Sequence, residues 1–439
     1  MVRAIATRKD FRDSPESSYN VTYVYTGEEA SQSEAGHLAD MFQWIGSTEN
    51  VESLPVSGKV NADDLKFIRS IKSLRHLDMT ESTYEGTALP DEAFAGMQLI
   101  SYQSPKQLSA AGDHLFRGCD QLAAVVWNAN ITVPETAIED IKHNPNFLLY
   151  VNSRIYAPSS YKGNLISGGQ ASSITLQDTE SGENFCCPVR FYTQQISYTH
   201  NYSQDTEEGE TCGWETISLP FDVQSITHEK RGSLAPFAKG EDVTQFRPFW
   251  LYELKETGFS RASEIQAYTP YIISMPNSPN YADDYILAGN VTFTATNTYV
   301  EADMARSAMK GSLTFAPAMQ RQEKSENVLA INLEDYTDDD QIFHRSGSAF
   351  VPNMRMVRPF EAYAVAGGAG ARSLDLNSYL WGDVTDMMRI EMDKLIDIAK
   401  NRRIFDLSGR RVSETSVKNK AKLDHQRIYI INGKKTVVK

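Results

Sequence analysis

The sequence lacks any long apolar run. No stretch of its 439 residues approaches the roughly 20 apolar residues needed to span a bilayer, so we expect no transmembrane segment in this chain. The opening residues, MVRAIATRKDFRD, also lack the apolar centre of a signal peptide. These absences leave either a cytosolic protein or a chain that begins after a removed export signal.

Positive charge is outnumbered by negative charge. The chain has 43 Lys and Arg residues against 57 Asp and Glu residues, which gives a net charge of −14 at pH 7. Because an acidic surface repels phosphate backbones, we expect no nucleic-acid partner. The same charge disfavours simple electrostatic docking on anionic lipid.

Cysteine is rare, and its spacing matches no C-x-x-C metal or redox pattern. Cys119 lies in a repeated segment where a small buried apolar residue fits, so we interpret it as a free buried thiol. Cys186 or Cys187 could pair with Cys212 in an oxidising compartment, and the sequence leaves that pairing open.

Recognisable catalytic motifs are missing. The chain contains no H-E-x-x-H, no G-x-S-x-G, no P-loop and no G-x-G-x-x-G after a strand. We therefore predict that the protein is not an enzyme and has no catalytic residues, no cofactor and no metal. A nucleophile pair of His114 and Cys119 is disfavoured, because nothing supplies an oxyanion donor. For the acidic run Asp335 to Asp340 we favour a solvated loop over a calcium site.

A periodic pattern of apolar residues is present near the N-terminal end. Leu74, Leu99, Leu122 and Phe147 are spaced by 25, 23 and 25 residues, and each opens a strand-like segment. A period of 20–29 residues with an L-x-x-L-x-L centre is typical of leucine-rich repeats, in which neighbouring units share one apolar core. The pattern predicts that the four segments stack as parallel strands.

Two connecting segments within this stack resemble each other. LPDEAFAGM and GDHLFRGCD each place a phenylalanine two residues before a glycine. Phe94 and Phe116 are expected to fill the layer opposite the strands, and Gly96 and Gly118 to permit the turn that follows a short helix. Upstream, Asn61 is a plausible N-cap for a helix that begins with ADDLKFIRS.

The remaining chain favours β structure. Short strand candidates separated by turns follow a Ser-, Gly- and Pro-rich boundary, and the tail contains a hairpin with Asn432-Gly433 as its turn. We therefore predict an α/β leucine-rich-repeat domain plus an all-β sandwich-like domain and a small C-terminal β unit. The expected boundaries are 1–160 for the helical lead-in and repeats, 161–385 for the sandwich-like domain, and 386–439 for a linker and the C-terminal unit.

Aromatic residues flank two strands of the middle region, beside one arginine. They are either a sugar-stacking platform or, as we favour, part of a sandwich core in which the arginine makes one buried ion pair. The set consists of Trp214, Phe221, Arg358, Phe360 and Tyr363.

Ligand-binding candidates come from the strands of the repeat. Residues between the inward-facing ones point to the concave face, which repeat arrays use to bind macromolecules. The alternative is that this face is merely solvated, or covered by a neighbouring domain. The candidates are His76, Asp78, Ser101 and Gln103, followed on the next strand by Ala124 and Val126.

Several segments together resemble a known family. LPDEAFAGM and LFRGCDQLAAVVW resemble the BspA-type leucine-rich repeats of Bacteroidetes surface proteins, whose units follow A-F-x-G-C-x-x-L. WETISLPFDV, YTPYIISMP and RPFEAY resemble the β-rich module that often follows, and IFDLSGRRV with IYIINGKKTVVK is similar to a C-terminal sorting tail. The resemblance implies an extracellular or cell-surface protein that binds a host or environmental protein or glycan.

The predicted function is therefore non-catalytic binding or adhesion. The first alternative is a module of a polysaccharide-processing enzyme system with a site in the middle β domain, and the second is a structural spacer. Converging carboxylates in a deep pocket would favour the enzyme. Exposed aromatic residues on a shallow surface would favour glycan binding, and a featureless surface would favour the spacer.

Overall fold

The structure is a computed structural model that divides into two compact units. Met1–Ala171 and Asn184–Phe191 form the first unit, and Ser172–Glu183 and Tyr192–Lys439 form the second. The structure describes residues 2–4, 17–19, 30–42, 48–207, 210–240, 245–256, 258–281, 283–303, 307–310, 313–366, 373–376, 404–406, 428–431 and 434–437.

The first unit contains ten short strands and three short helices among its described residues. The strands are β1 (Val2–Ala4), β2 (Ser17–Tyr19), β3 (Ala30–Gln32), β4 (Ser53–Val60), β5 (His76–Tyr84), β6 (Ser101–Gln103), β7 (Ala124–Trp127), β8 (Leu148–Val151), β9 (Asn164–Ser167) and β10 (Gln170–Ala171). The helices are α1 (Leu38–Met41), α2 (Ala62–Ser70) and α3 (Glu135–Ile141), and a 3₁₀ turn spans Arg154–Tyr156.

Strands β3 to β9 form a parallel sheet in chain order, and β10 pairs antiparallel with β9. The four segments that open at the periodic apolar residues are adjacent in this sheet. In register, His76 pairs with Ser101, Ser101 with Ala124, and Ala124 with Leu148. The spacing of the apolar residues therefore predicted the strand neighbours correctly.

The predicted α/β leucine-rich-repeat class is nevertheless wrong. Strand accounts for 39% of the structure and helix for only 9%, which makes this a mostly β protein with a mixed sheet. The connections from β5 to β6 and from β6 to β7 contain turns instead of helices. Gly96 (φ +72°) and Gly118 (φ +71°) adopt the left-handed conformation, which ends each turn before a helix can propagate.

Backbone hydrogen bonds stack these turns directly on one another. The Phe94 N–H donates to Leu115 O at 3.0 Å, and the Gly96 N–H donates to Arg117 O at 2.8 Å. The buried rings of Phe94 and Phe116 stack with centroids 5.8 Å apart, as expected for residues that fill the layer opposite the strands. Turns that hydrogen-bond in this way replace the helical layer.

Helix α2 begins at the predicted cap. The Asn61 side chain accepts hydrogen bonds from the backbone N–H groups of Asp63 and Asp64, and Asp64 Oδ2 accepts from the Asn61 N–H at 2.9 Å. This reciprocal capping box satisfies amide groups that a helix start leaves unpaired. Leu65 and Ile68 are buried on the helix face that packs against the core.

The remaining described strands belong to the second unit, except that the first residue of β12, Phe191, is part of the first. They are β11 (Ile174–Gln177), β12 (Phe191–Tyr202), β13 (Glu215–Ile217), β14 (Ser225–His228), β15 (Gly232–Pro236), β16 (Arg247–Lys255), β17 (Gly258–Arg261), β18 (Tyr271–Ser274), β19 (Gly289–Val300), β20 (Ala308–Lys310), β21 (Leu313–Pro317), β22 (Leu329–Ile331), β23 (Tyr336–Thr337), β24 (Phe343–His344), β25 (Ala349–Pro352), β26 (Ala362–Ala366), β27 (Leu374–Asp375), β28 (Ile404–Asp406), β29 (Ile428–Ile431) and β30 (Lys434–Val437). Two 3₁₀ turns span Phe237–Lys239 and Asp283–Tyr285.

Three larger sheets organise these strands. The first has the order β11-β12-β19-β14-β15. The second has the order β17-β16-β18-β13 and continues from the first through a parallel pairing of β15 with β16. The third has the order β20-β21-β26-β22-β25-β27. The second and third sheets share one apolar core, which includes Trp214, Trp250, Ile272, Phe315, Leu329 and Phe350.

Near the C-terminus, β28, β29 and β30 form a small antiparallel sheet. The predicted hairpin is confirmed, because Ile428 pairs with Val437 and Ile431 pairs with Lys434. Its predicted turn at Asn432-Gly433 and the proposed linker lie outside the described residues.

Candidate functional site

The four residues predicted to bind a ligand lie together on β5 and β6. His76 is opposite Ser101, and Asp78 is opposite Gln103. His76 Nδ1 lies 2.9 Å from the Ser101 hydroxyl oxygen, and Gln103 Nε2 donates to Asp78 Oδ2 at 3.1 Å. Two hydrogen-bonded cross-strand pairs thus lie side by side on the sheet. We call these four residues the strand-face site.

The strand-face site combines several kinds of hydrogen-bonding group. Burial lowers the His76 pKa and the neighbouring Arg75 charge lowers it further, so the imidazole is neutral at pH 7. Asp78 Oδ1 also accepts a hydrogen bond from the Thr80 backbone N–H at 2.9 Å. An imidazole, a hydroxyl, an amide and a carboxylate are therefore held in fixed positions. His76, Asp78 and Gln103 are half-buried, which leaves part of each side chain open to solvent, whereas Ser101, which was expected on the same face, is buried.

Polar contacts continue from this site along the ends of the strands. Asn128 Nδ2 donates to Thr80 Oγ1 at 3.1 Å, and Asn152 Nδ2 donates to Asn128 O at 2.6 Å. Further along β5, Glu81 forms an exposed ion pair with Lys106. The hydrogen-bonded polar surface therefore reaches beyond the four predicted residues.

The opposite side of these strands is rigidly packed. Leu77, Met79 and Tyr102 alternate with the strand-face residues and are fully buried. The Tyr102 ring lies 4.6 Å from that of Phe94 and 5.4 Å from that of Phe116, measured between centroids. Because interdigitated side chains resist displacement, the strand-face site is built on a fixed support.

On β7 and β8, the residues of the same sheet face are buried. Ala124 and Val126, which were expected to be exposed with the others, are buried, as is Tyr150 on β8. The Tyr150 hydroxyl lies 3.5 Å from the sulfur of Cys187, and its ring packs edge-on against Phe191. The segment that contains these two residues packs against β8, whereas the β5–β6 portion of the face keeps half-buried side chains that a ligand can reach.

A cluster of charged side chains in the second unit was missed by sequence reasoning. His200 on β12 lies between two carboxylates, with Nδ1 3.0 Å from Asp178 Oδ2 and Nε2 2.8 Å from Glu215 Oε2. Arg358 also approaches Asp178 Oδ2, at 3.5 Å. No short motif signals such a cluster, because its members come from separate segments that only the folded sheet brings together.

The protonation of this cluster decides what it can do chemically. Burial by itself lowers the His200 pKa, but the Glu215 charge and the hydrogen bonds to Asp178 and Glu215 outweigh burial and raise that pKa to about 10. Burial also acts to raise the Asp178 pKa, yet His200 and Arg358 hold it below its usual value. An imidazole that keeps its proton to such high pH is not a general base near neutrality. The cluster is an ion network that ties strands together.

The network extends to the segment that precedes β26. Glu361 binds Arg358 through Oε1 at 3.2 Å and Arg355 through Oε2 at 2.8 Å. Phe360, between them, adopts a left-handed backbone conformation with φ +70°, which an L-residue holds only when its surroundings impose it. The favoured core interpretation holds for Trp214, Phe221 and Phe360, which are buried, whereas Tyr363 is half-buried. Arg358 is ion-paired as expected, but with two carboxylates, Asp178 and Glu361, instead of one.

The disfavoured nucleophile pair of His114 and Cys119 does not form. His114 Nδ1 contacts Asp140 Oδ1 at 3.0 Å, whereas the Cys119 thiol donates to Phe94 O at 3.1 Å, so the two side chains serve different partners. Burial raises the pKa of Cys119 to about 12, which opposes formation of a thiolate nucleophile.

The acidic run begins just before β23 and continues into the turn between β23 and β24. Asp338 Oδ1 accepts from the Ile342 N–H at 2.8 Å, and Asp338 Oδ2 lies 3.0 Å from His344 Nε2. Asp335 Oδ1 accepts from the Ser346 N–H at 2.8 Å. These carboxylates bind groups of their own hairpin and its flank. Within the described ranges, no three His, Cys, Asp or Glu side chains are grouped to hold a metal ion.

All four cysteines are buried, and Cys119 is a free thiol, as interpreted from the sequence. Among the helices in the described part of the chain, none is long and apolar enough to cross a membrane. Comparisons with protein-family models, with curated proteins and with solved structures found no match. The function therefore has to be inferred from the sequence and from the surfaces of the described residues.

Proposed function

We propose that this chain is a non-catalytic binding protein of the cell exterior, and that the strand-face site recognises a protein or glycan ligand. The observation that carries the proposal is the pair of hydrogen-bonded cross-strand contacts, His76 with Ser101 and Asp78 with Gln103. The resemblance of the AFAGM and LFRGC segments to BspA-type surface proteins supports the location and the adhesive role.

Pre-organisation favours binding at this site. The cross-strand bonds and the packed layer beneath them hold the polar groups in place before a ligand arrives. A ligand therefore does not have to immobilise those side chains, which lowers the entropic cost of association. An amide beside a carboxylate presents donors and acceptors in fixed directions, which suits recognition of peptide groups or sugar hydroxyls.

A binding screen tests the proposal. The purified chain is applied to an array of extracellular-matrix proteins and glycans, and Kd is measured for each hit. The triple variant His76→Ala, Asp78→Ala, Gln103→Ala should weaken a specific hit by about 100-fold or more, because it removes two to three hydrogen bonds worth about 1 kcal/mol each, one of them to a charged group.

The matched control is Asp63→Ala in the same unit. Asp63 is also acidic and exposed, but it lies on α2, where its side chain forms an ion pair with Lys66 of the same helix. This variant should bind like the wild type. An unchanged Kd in the triple variant, or the absence of any specific hit on the array, would contradict the proposal.

A further inference from the structure

The first sheet of the second unit has an unusual exposed face. Burial alternates along β12, β14 and β19, so one side of each strand faces the interior and the other faces solvent. On the solvent side, every residue within the five strands β11, β12, β19, β14 and β15 is uncharged. In a chain with a net charge of −14, an uncharged face five strands wide is unexpected, which suggests that this face has a role of its own.

Hydroxyl groups dominate this face in two rows that cross the sheet. The strand registers pair Thr175 with Ser197 and Thr294 with Ser225 in one row, and pair Gln177 with Thr199, Thr292 with Thr227 and Thr227 with Ser233 in the other. The second row joins across β12 and β19, where the hydroxyl oxygens of Thr199 and Thr292 are 2.9 Å apart. With strands about 4.8 Å apart, the second row spans roughly 19 Å.

An aromatic pair lies at one end of the face. The rings of Tyr192 and Tyr299 meet edge to face with centroids 5.4 Å apart, and 54% of Tyr299 is exposed. The Tyr192 hydroxyl donates to Asn297 Oδ1 at 3.0 Å, which fixes the direction of that ring. At the other end, Asn201 Nδ2 donates to Asn290 Oδ1 at 2.8 Å.

We propose that this hydroxyl face binds an extended neutral polysaccharide, with Tyr299 and Tyr192 as the stacking platform. The exposed aromatic rings offer apolar surface to the C–H groups of a sugar ring, and the hydroxyl and amide rows offer donors and acceptors to its hydroxyl groups. Rows of this length match a chain of several sugars. The site is separate from the strand-face site in the first unit.

Charge and composition argue against other ligands. The face has no Lys or Arg side chain within its strands to neutralise phosphate or carboxylate groups, which disfavours nucleic acid, anionic lipid and acidic glycans. The centres of protein–protein interfaces are rich in aromatic residues, Met and Arg and poor in Ser, whereas the centre of this face is formed by Ser and Thr.

Affinity electrophoresis and pull-down assays test this inference. The probes are soluble neutral β-glucan, starch and arabinoxylan and insoluble cellulose and chitin, with polygalacturonate and heparin as anionic comparisons. We expect retention on at least one neutral polysaccharide and none on the anionic ones. Retention should not change between 50 and 500 mM NaCl, because no ion pair forms.

Two variants address the face directly. Tyr299→Ala should weaken binding about 10-fold, as expected for the loss of one aromatic contact. Thr294→Lys should weaken it at least as much, because it places a charge in the centre of the neutral rows. The control Phe343→Ala removes another aromatic side chain that is 61% exposed in the same unit and should leave binding unchanged.

Three results would overturn the inference: no retention on any neutral polysaccharide, retention that salt abolishes, or equal binding by wild type, Tyr299→Ala and Thr294→Lys. The triple variant of the strand-face site separates the two proposals. If that variant loses polysaccharide binding while Tyr299→Ala keeps it, the glycan binds in the first unit, and only the inference about the hydroxyl face fails.

Discussion

Replacement of His200 by glutamine should change both the stability of the protein and its dependence on pH. In the wild type, the protonated imidazole lies between Asp178 and Glu215. Glutamine keeps hydrogen-bonding capacity but removes the positive charge, which leaves two buried carboxylates without their shared cation. Breaking a buried ion pair in this way costs about 3–5 kcal/mol of unfolding free energy.

The pKa of His200 sets the pH range of the effect. It is raised from 6.5 to about 10 in the folded protein. A raised pKa means that the folded state binds the proton more tightly, so its stabilisation is complete below pH 6.5 and is lost as pH rises toward 10. Each pH unit within this window removes about 1.4 kcal/mol, or about 3 kcal/mol between pH 7 and pH 9.

Urea unfolding at pH 7, 8 and 9, followed by far-UV circular dichroism, measures this contribution. Tyrosine and lysine residues also begin to titrate near the upper end of this range, so the informative quantity is the difference in unfolding free energy between wild type and His200→Gln. That difference should be largest at pH 7 and shrink as pH rises. A difference that stays constant from pH 7 to pH 9 would refute the assignment of a protonated, sandwiched imidazole.

Other parts of the fold make further predictions. Phe116→Ala should lower the unfolding free energy by about 3–5 kcal/mol, because it empties a fully buried site between stacked turns; a loss under 1 kcal/mol in thermal or urea unfolding would count against that packing. Gly347→Ala should destabilise far more than Gly232→Ala: both have φ near +70°, but only at Gly347 does a new Cβ meet the Trp214 backbone, at 2.2 Å. Similar melting temperatures for the two variants would contradict this. A thiol reagent should leave the buried Cys119 unlabelled in the native protein and label it after unfolding without reductant, whereas a disulfide at Cys119 detected by mass spectrometry would disprove its free-thiol state.

Features that depend on spacing along the chain were predictable from the sequence. The interval between Leu74 and Leu99 identified neighbouring strands, because a stacked repeat must return to the same position after each unit. Asn61 marked a helix start for a local chemical reason, since its side chain caps the first amides. The polar residues His76 and Asp78 were placed on one face because side chains alternate along a strand.

Features that depend on long-range register were not predictable in this way. The helical layer was expected from the repeat period, but Gly96 and Gly118 end their turns early, and backbone bonds between turns take the place of helices. The His200 cluster gathers residues from positions 178 to 361, and no local pattern encodes that pairing. The V-T-F-T-A-T alternation in β19 was visible in the sequence, whereas the strands that extend its hydroxyl rows become evident only from the sheet register.

Site-specific photo-cross-linking tests the binding role of the strand-face site most directly. A photoreactive amino acid replaces Gln103 in one variant and the control residue Asp63 in another, and each variant is irradiated with the ligand identified on the array. The account predicts a covalent adduct at position 103 and none at position 63. Retained ligand affinity with no adduct at position 103 would show that the ligand binds elsewhere on the protein.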